Sequence, residues 1–107
     1  MQQITTDELK EKIANKESFV LDLFATWCGP CKMMHTSMVH AEQLTEQRAK
    51  GKPTHNFYQL DIESDREYVI GELGIRSVPT LKVFTEGQET YSKAGVLTTN
   101  EIYDLVK

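Results

Sequence analysis

The stretch FVLDLFATWCGPC, residues 19 to 31, constrains the fold more than any other part of the chain. Its first six residues are apolar at every position but one, as in a central strand covered on both faces. Pro30 suits the first turn of a helix, where its missing N–H costs nothing. A buried strand, a tight turn and a helix therefore follow one another here. Two features are not explained by packing. Asp22 puts a carboxylate inside the strand, and Cys28 and Cys31, the only two cysteines, stand three residues apart at the turn.

The rest of the chain supplies elements on either side. Thr5, followed three residues later by Glu8, reads as a capping box opening a helix to about residue 14, with Ile4 and Leu9 at the staple positions. Leu9 and Ile13 share a face of that helix. The helix starting near Pro30 or Cys31 extends to Arg48, with Met34, Met38, Ala41 and Leu44 as its buried stripe. Gly51 and Pro53 break it. HNFYQLD, residues 55 to 61, reads as a second inner strand. SDREYVIGELG follows as a short helix capped by Ser64, with Val69 and Leu73 on one side, and ended by Gly74. TLKVF, a turn at Gly87 and ETYSK make a hairpin. Thr98 and Glu101 form a second capping box, with Leu97 stapled to Ile102, and Ile102, Leu105 and Val106 face the sheet. The order is helix, strand, helix, strand, helix, strand, strand, helix. It predicts an α/β fold: one domain over residues 1–107, with a mixed sheet of four strands between helices.

Composition narrows the function. The chain has 107 residues, too few to divide into two units with adequate cores. Its net charge of -4, with basic residues scattered singly apart from Lys50 and Lys52, disfavours phosphate binding and hence nucleic acid. Its uncharged apolar runs fall far short of the roughly 20 residues of a membrane span. MQQITTDELK has neither a basic flank nor an apolar core, so no signal peptide is expected in it. Two cysteines do not make a disulfide scaffold, and a Cys-x-x-Cys pair between strand and helix reads as redox-active.

The chemistry expected of that pair follows from its place. Only a thiolate attacks, and Cys28 precedes a helix whose unpaired N–H groups and dipole favour an anion. Cys28 is the expected attacker of a substrate disulfide. Cys31, one step inside the helix and expected to be the more covered thiol, then resolves the mixed disulfide. Gly29 is expected to leave space over the sulfur, and Trp27 to offer a flat apolar shelf for a substrate chain. Two other readings stay open: a zinc site completed by His35, His40 or His55, and a pair of inert core cysteines. Asp22 reads as a buried acid with a raised pKa, a proton acceptor for Cys31. Alternatively it sits near the strand's end and reaches water. Pro79 belongs at the first position of its strand, where no ladder donor is needed, and its peptide bond is open to cis or trans.

These residues carry a resemblance. WCGPCK, FVLDLFATW, GIRSVPTLKVF, Gly87 and the KAG of residues 93 to 95 resemble the thioredoxin family over nearly the whole chain. The resemblance implies a thioredoxin fold and a protein-disulfide reductase, with Cys28 attacking, Cys31 resolving and Asp22 as the family's buried acid. It implies that Pro79 is the cis-proline facing the disulfide and that the Val78 backbone pairs with substrate. Trp27, Gly29, Pro30, Ile75 and Gly95 would form the surface around the substrate groove. It also implies a monomer without a cofactor, placed in the cytoplasm. Thioredoxin reductase would be its electron donor and oxidised proteins its clients. The chain departs from the family in four places. Thr36 stands where a helix-kinking proline is usual, predicting a straighter helix. Gln59 replaces a lysine near the acid, Phe24 replaces a tryptophan, and extra length falls around QRAKGKPTH. The extra length and the missing proline keep an interaction module, with redox chemistry secondary, as a further reading.

Overall fold

Thr5 and Thr98 open their helices with reciprocal caps in the computed structural model, which describes residues 1–50 and 53–107. Each hydroxyl accepts from the N–H of the glutamate three residues on, and that glutamate accepts from the cap residue's own N–H at 3.0 Å. Such caps hold a helix start by about 0.5–2 kcal/mol. Helix α1 spans Thr6–Ala14, α2 Gly29–Arg48 and α3 Thr99–Val106. The strands are β1 Gln2–Gln3, β2 Phe19–Phe24, β3 Asn56–Asp61, β4 Thr80–Thr85 and β5 Gln88–Ala94. They lie in the order β1-β3-β2-β4-β5, with β1, β3 and β2 parallel and β4 and β5 antiparallel to their neighbours.

The sheet thus has five strands where the sequence predicts four. β1 consists of two exposed glutamines at the edge, which carry no apolar alternation. Its pairing is made by the backbone: Gln2 and Gln3 stand opposite Tyr58 and Gln59, and the Ile4 N–H donates to the Gln59 carbonyl at 2.8 Å.

Both faces of β2 are covered, which explains its near-continuous apolar run. Phe19, Leu21 and Leu23 pack with Leu9 of α1, Leu60 and Val69. On the other side Val20 packs with Met34, Met38 and Ala41 of α2 and with Ile102 and Val106 of α3. Two-residue alternation puts Asp22 on Val20's side, beneath α2. The buried stripe of α2 differs from expectation at its end: Leu44 is half-buried and Thr45 is buried. The Thr45 hydroxyl tolerates burial by donating to the Ala41 and Glu42 carbonyls. The expected breaker Gly51 lies outside the described residues.

The helix expected over residues 64 to 74 is replaced by two tighter and wider turns. Ile62–Ser64 form a 3₁₀ turn and Glu67–Glu72 a π-helical one. Ser64 caps neither, since its hydroxyl donates to the Asp61 carbonyl; Asp65 accepts from the Tyr68 N–H instead. The Leu73 N–H reaches the Tyr68 carbonyl five residues back, the signature of a π turn. Gly74, at φ 70°, ends the segment as expected.

Candidate active site

Cys28 is the N-cap of α2, and Pro30 occupies the first turn as its sequence position predicts. The Cys28 Sγ accepts from the Cys31 N–H at 3.2 Å, and the two cysteines are joined by a disulfide with Cα atoms 5.3 Å apart. A helix N–H thus points at the sulfur that would carry negative charge after reduction. Both residues are 4 % exposed, so the expected difference in cover is not there. The bonded pair packs as a unit against Ala25, Phe24, Ile62 and Val78, which shields both alike. Apart from its two chain neighbours, a Cβ at Gly29 would meet nothing within 4 Å, so packing of the fold does not demand glycine there.

Asp22 is fully buried, and neither carboxylate oxygen has a hydrogen-bond partner among the described residues. Burial alone pushes its pKa up to about 7. The alternative in which Asp22 reaches water at a strand end does not hold. In the sheet it stands between Gln59 of β3 and Leu81 of β4. Asp22, Cys28, Cys31, Lys32, His35 and Gln59 border one cleft of about 300 Å³, the acid at its floor.

The other expected site residues divide. The Val78–Pro79 peptide is cis. Val78 is half-buried against the disulfide cluster, and the Pro79 carbonyl accepts from the Gly95 N–H at 2.8 Å, which ties Gly95 to the cis peptide. Gly95 is exposed at φ 101°, a conformation that favours glycine. Trp27 is 68 % exposed, beside Cys28 as a shelf requires. Ile75 is not on the surface. It is 5 % exposed and belongs to the core on the α1 side.

Two contributions were not legible. Glu63 accepts from the Trp27 indole N–H at 3.2 Å while receiving two hydrogen bonds from Arg66. The Arg66 hydrogen bond, then that from Trp27, hold the Glu63 carboxyl below the usual range. His35 Nδ1 lies 3.1 Å from Gln59 Oε1. Of the three histidines His35 alone borders the cleft of the two cysteines, one short of the two that a Cys2His2 site requires. His40 is exposed, and His55 bonds Thr54 and Thr85 at the far end of the sheet. Among the described residues no helix is long and apolar enough to cross a membrane.

The family model described as Thioredoxin matches residues 1–107. Thioredoxin of Mycoplasmoides gallisepticum is 31 % identical over the full length of both chains. Thioredoxin-1 of Saccharomyces cerevisiae is 34 % identical over 85 % of this chain and 81 % of its own. Among solved structures, the thioredoxin of Malassezia sympodialis superposes with a TM-score of 0.77 at 28 % identity, covering 99 % of this chain and 87 % of its own. Chloroplastic thioredoxin z gives 0.81 at 21 % identity over 99 % and 90 % of the two chains, a likeness of fold.

Proposed function

Since the chain belongs to the thioredoxin family and is a thiol-disulfide oxidoreductase, we propose that it works in the reducing direction, passing electrons from Cys28 and Cys31 to disulfides of client proteins. The observation that carries the reading is the dithiol pair at the start of α2, in one cleft with a buried, unpartnered carboxylate. Cys28, as thiolate, attacks a client disulfide and forms a mixed disulfide. Asp22 takes the proton of Cys31 as that sulfur attacks the Cys28 Sγ. The client leaves as a dithiol and the Cys28–Cys31 disulfide forms. An acid near pKa 7 suits a base that must take and release a proton at neutral pH.

The surroundings supply recognition in this reading. Trp27, Gly29 and Pro30 lie exposed beside the disulfide, Val78 packs against it, and Pro79, bonded to Gly95, follows Val78 in the chain. The Val78 backbone offers pairing to an extended client segment. The open space around Gly29 favours close approach by a client rather than serving the fold.

Members of the family generally interact with thioredoxin reductase and client proteins. For this chain we propose that reductase, fed by NADPH, as the donor, with the chain acting as one monomeric cytoplasmic domain that holds no cofactor. The test is Cys31→Ser incubated with an oxidised client. A covalent complex through Cys28 is expected; its absence, or attachment through another residue, overturns the assignment. Equilibration of the wild type against glutathione decides direction. A potential near the about −270 mV typical of thioredoxin supports reduction, and one near about −120 mV marks an oxidant.

A further inference from the structure

Cys31 and His35 stand four residues apart on α2, so their side chains share one helix face, a turn apart. That face overlies the sheet row in which Asp22 and Gln59 stand opposite each other across β2 and β3. Residues opposite in a strand pair point to the same side of the sheet. Gln59 reaches the helix, where its Oε1 meets His35 Nδ1 at 3.1 Å. Asp22, Cys31, His35 and Gln59 thus ring one cleft of about 300 Å³.

The ring answers a problem set by burial. A base that accepts one proton per turnover has to return it, and Asp22 has no exposed surface and no hydrogen-bond partner among the described residues. His35 is exposed and borders the same cleft. An amide oxygen only accepts, so Nδ1 is the donor to Gln59, and Nε2 is the ring nitrogen left outside that bond. Imidazole is the side chain that both takes and gives protons near neutrality.

We propose that His35, oriented by Gln59, carries protons between the buried Asp22 carboxyl and solvent. The proposal rests on the reading of Asp22 as the base for Cys31. As the Cys31 sulfur attacks the Cys28 Sγ, its proton passes to Asp22. The electron pair of the broken mixed disulfide leaves on the client's sulfur. The Asp22 carboxyl then gives its proton through the solvent of the cleft to His35 Nε2, and the imidazolium releases its proton outside. No electrons beyond those of the dithiol are involved. Lys32 and the two cysteines are the remaining charged or titratable groups bordering the cleft. His35 touches neither client nor reacting sulfur and acts through Asp22 as a positioned relay.

The test mixes reduced protein with excess of an aryl disulfide whose thiol is coloured. The first thiol released reports attack by Cys28, and the second reports resolution by Cys31. Wild type, His35→Gln, Asp22→Asn and the double variant are followed from about pH 5 to about pH 9, in weak buffer and with added imidazole. His35→Gln is expected to slow the second phase about tenfold near neutrality, short of the ~100-fold or more of a lost general base. It should leave the first phase unchanged, flatten the pH profile, and be restored by imidazole. The double variant should be no slower than Asp22→Asn. A slow Asp22→Asn beside an unchanged His35→Gln, or one that imidazole does not restore, overturns the relay and leaves the base standing. If neither variant slows resolution, the base reading falls and the relay with it.

Discussion

Asp22 stands opposite Gln59 in the parallel register of β2 and β3, yet neither carboxylate oxygen takes a hydrogen bond from it. The amide of Gln59 is turned to His35 instead. The acid is left to the effect of burial alone, which raises its pKa to about 7.

The consequence for stability has a definite sign. Below the unfolded pKa of about 3.9 Asp22 is protonated in both states and costs nothing. As pH rises from there to about 7 the unfolded chain ionises first, and the folded state loses relative stability until the folded carboxyl ionises too. A shift of roughly three pKa units sets an upper bound of about 4 kcal/mol on the loss. Asp22→Asn removes this titration. Denaturation curves for the pair should therefore diverge in the variant's favour between about pH 4 and pH 8. A variant that loses ground to wild type across that window would make Asp22 a well-paired structural acid.

Trp27 is the chain's one tryptophan, so its fluorescence reports on this residue alone. The Glu63 hydrogen bond anchors the exposed indole beside Cys28. Glu63→Ala should leave the indole freer, seen as faster decay of fluorescence anisotropy. It should raise KM for protein clients a few-fold with kcat little changed, since it removes binding and not chemistry. Global stability should move by no more than about 0.5 kcal/mol, as for most surface substitutions. Unchanged anisotropy would show that the bond does not hold the ring.

What the sequence disclosed depended on how local its cause was. The caps at Thr5 and Thr98 are closed within three residues, and both formed as written. The helix start at Pro30 and the burial of Asp22 were legible because neighbours in the chain dictate them. β1 was not, because its two glutamines pair through backbone groups that every residue possesses. The π turn was not either: Val69 and Leu73 are spaced for an α-helix, and the choice between four- and five-residue hydrogen bonds is made by packing. The equal cover of Cys28 and Cys31 is set by Ile62 and Val78, far along the chain. The Trp27–Glu63 bond spans 36 positions, and no spacing rule announces it. The outline of the site was therefore readable, and its second layer was not.

The hairpin between β4 and β5 turns on Glu86 and Gly87, with φ of 52° and 80°. That pair of positive φ values is the turn that suits the twist of a two-residue hairpin. Gly87 is also pressed against α1. Its N–H donates to the Glu17 carbonyl at 2.9 Å, and a Cβ on it would lie 2.6 Å from the Ile13 carbonyl oxygen. Gly87→Ala should cost about 2 kcal/mol or more, combining the left-handed backbone penalty with the displacement of backbone atoms. Thermal denaturation should show a drop on the order of 10 °C. A drop of only a degree or two would mean that the hairpin and α1 move apart freely.

The last expectation concerns Thr36, in the middle of α2. The helix is continuous from Gly29 to Arg48, and the Thr36 hydroxyl donates to the Lys32 carbonyl at 3.3 Å. Proline at this position removes the Thr36 N–H bond to the same carbonyl and drives its ring into it. In an unbroken helix the cost is about 3 kcal/mol or more, a large part of the 5–15 kcal/mol by which a domain is stable. Thr36→Pro should therefore unfold at clearly lower denaturant, with the midpoint shifted and the slope kept. The damage should also reach the site. Lys32 and His35 lie on the turn that would open, and His35 would lose its alignment with Gln59. Resolution by Cys31 should slow at neutral pH in the folded variant, while attack by Cys28, one turn earlier, is spared. Thr36→Ala serves as the control: it removes the hydroxyl bond and keeps the helix, and should be near neutral in both measurements. A proline variant as stable as wild type would show that α2 bends at this turn in solution, and that the straight helix is not what holds His35 over the cleft.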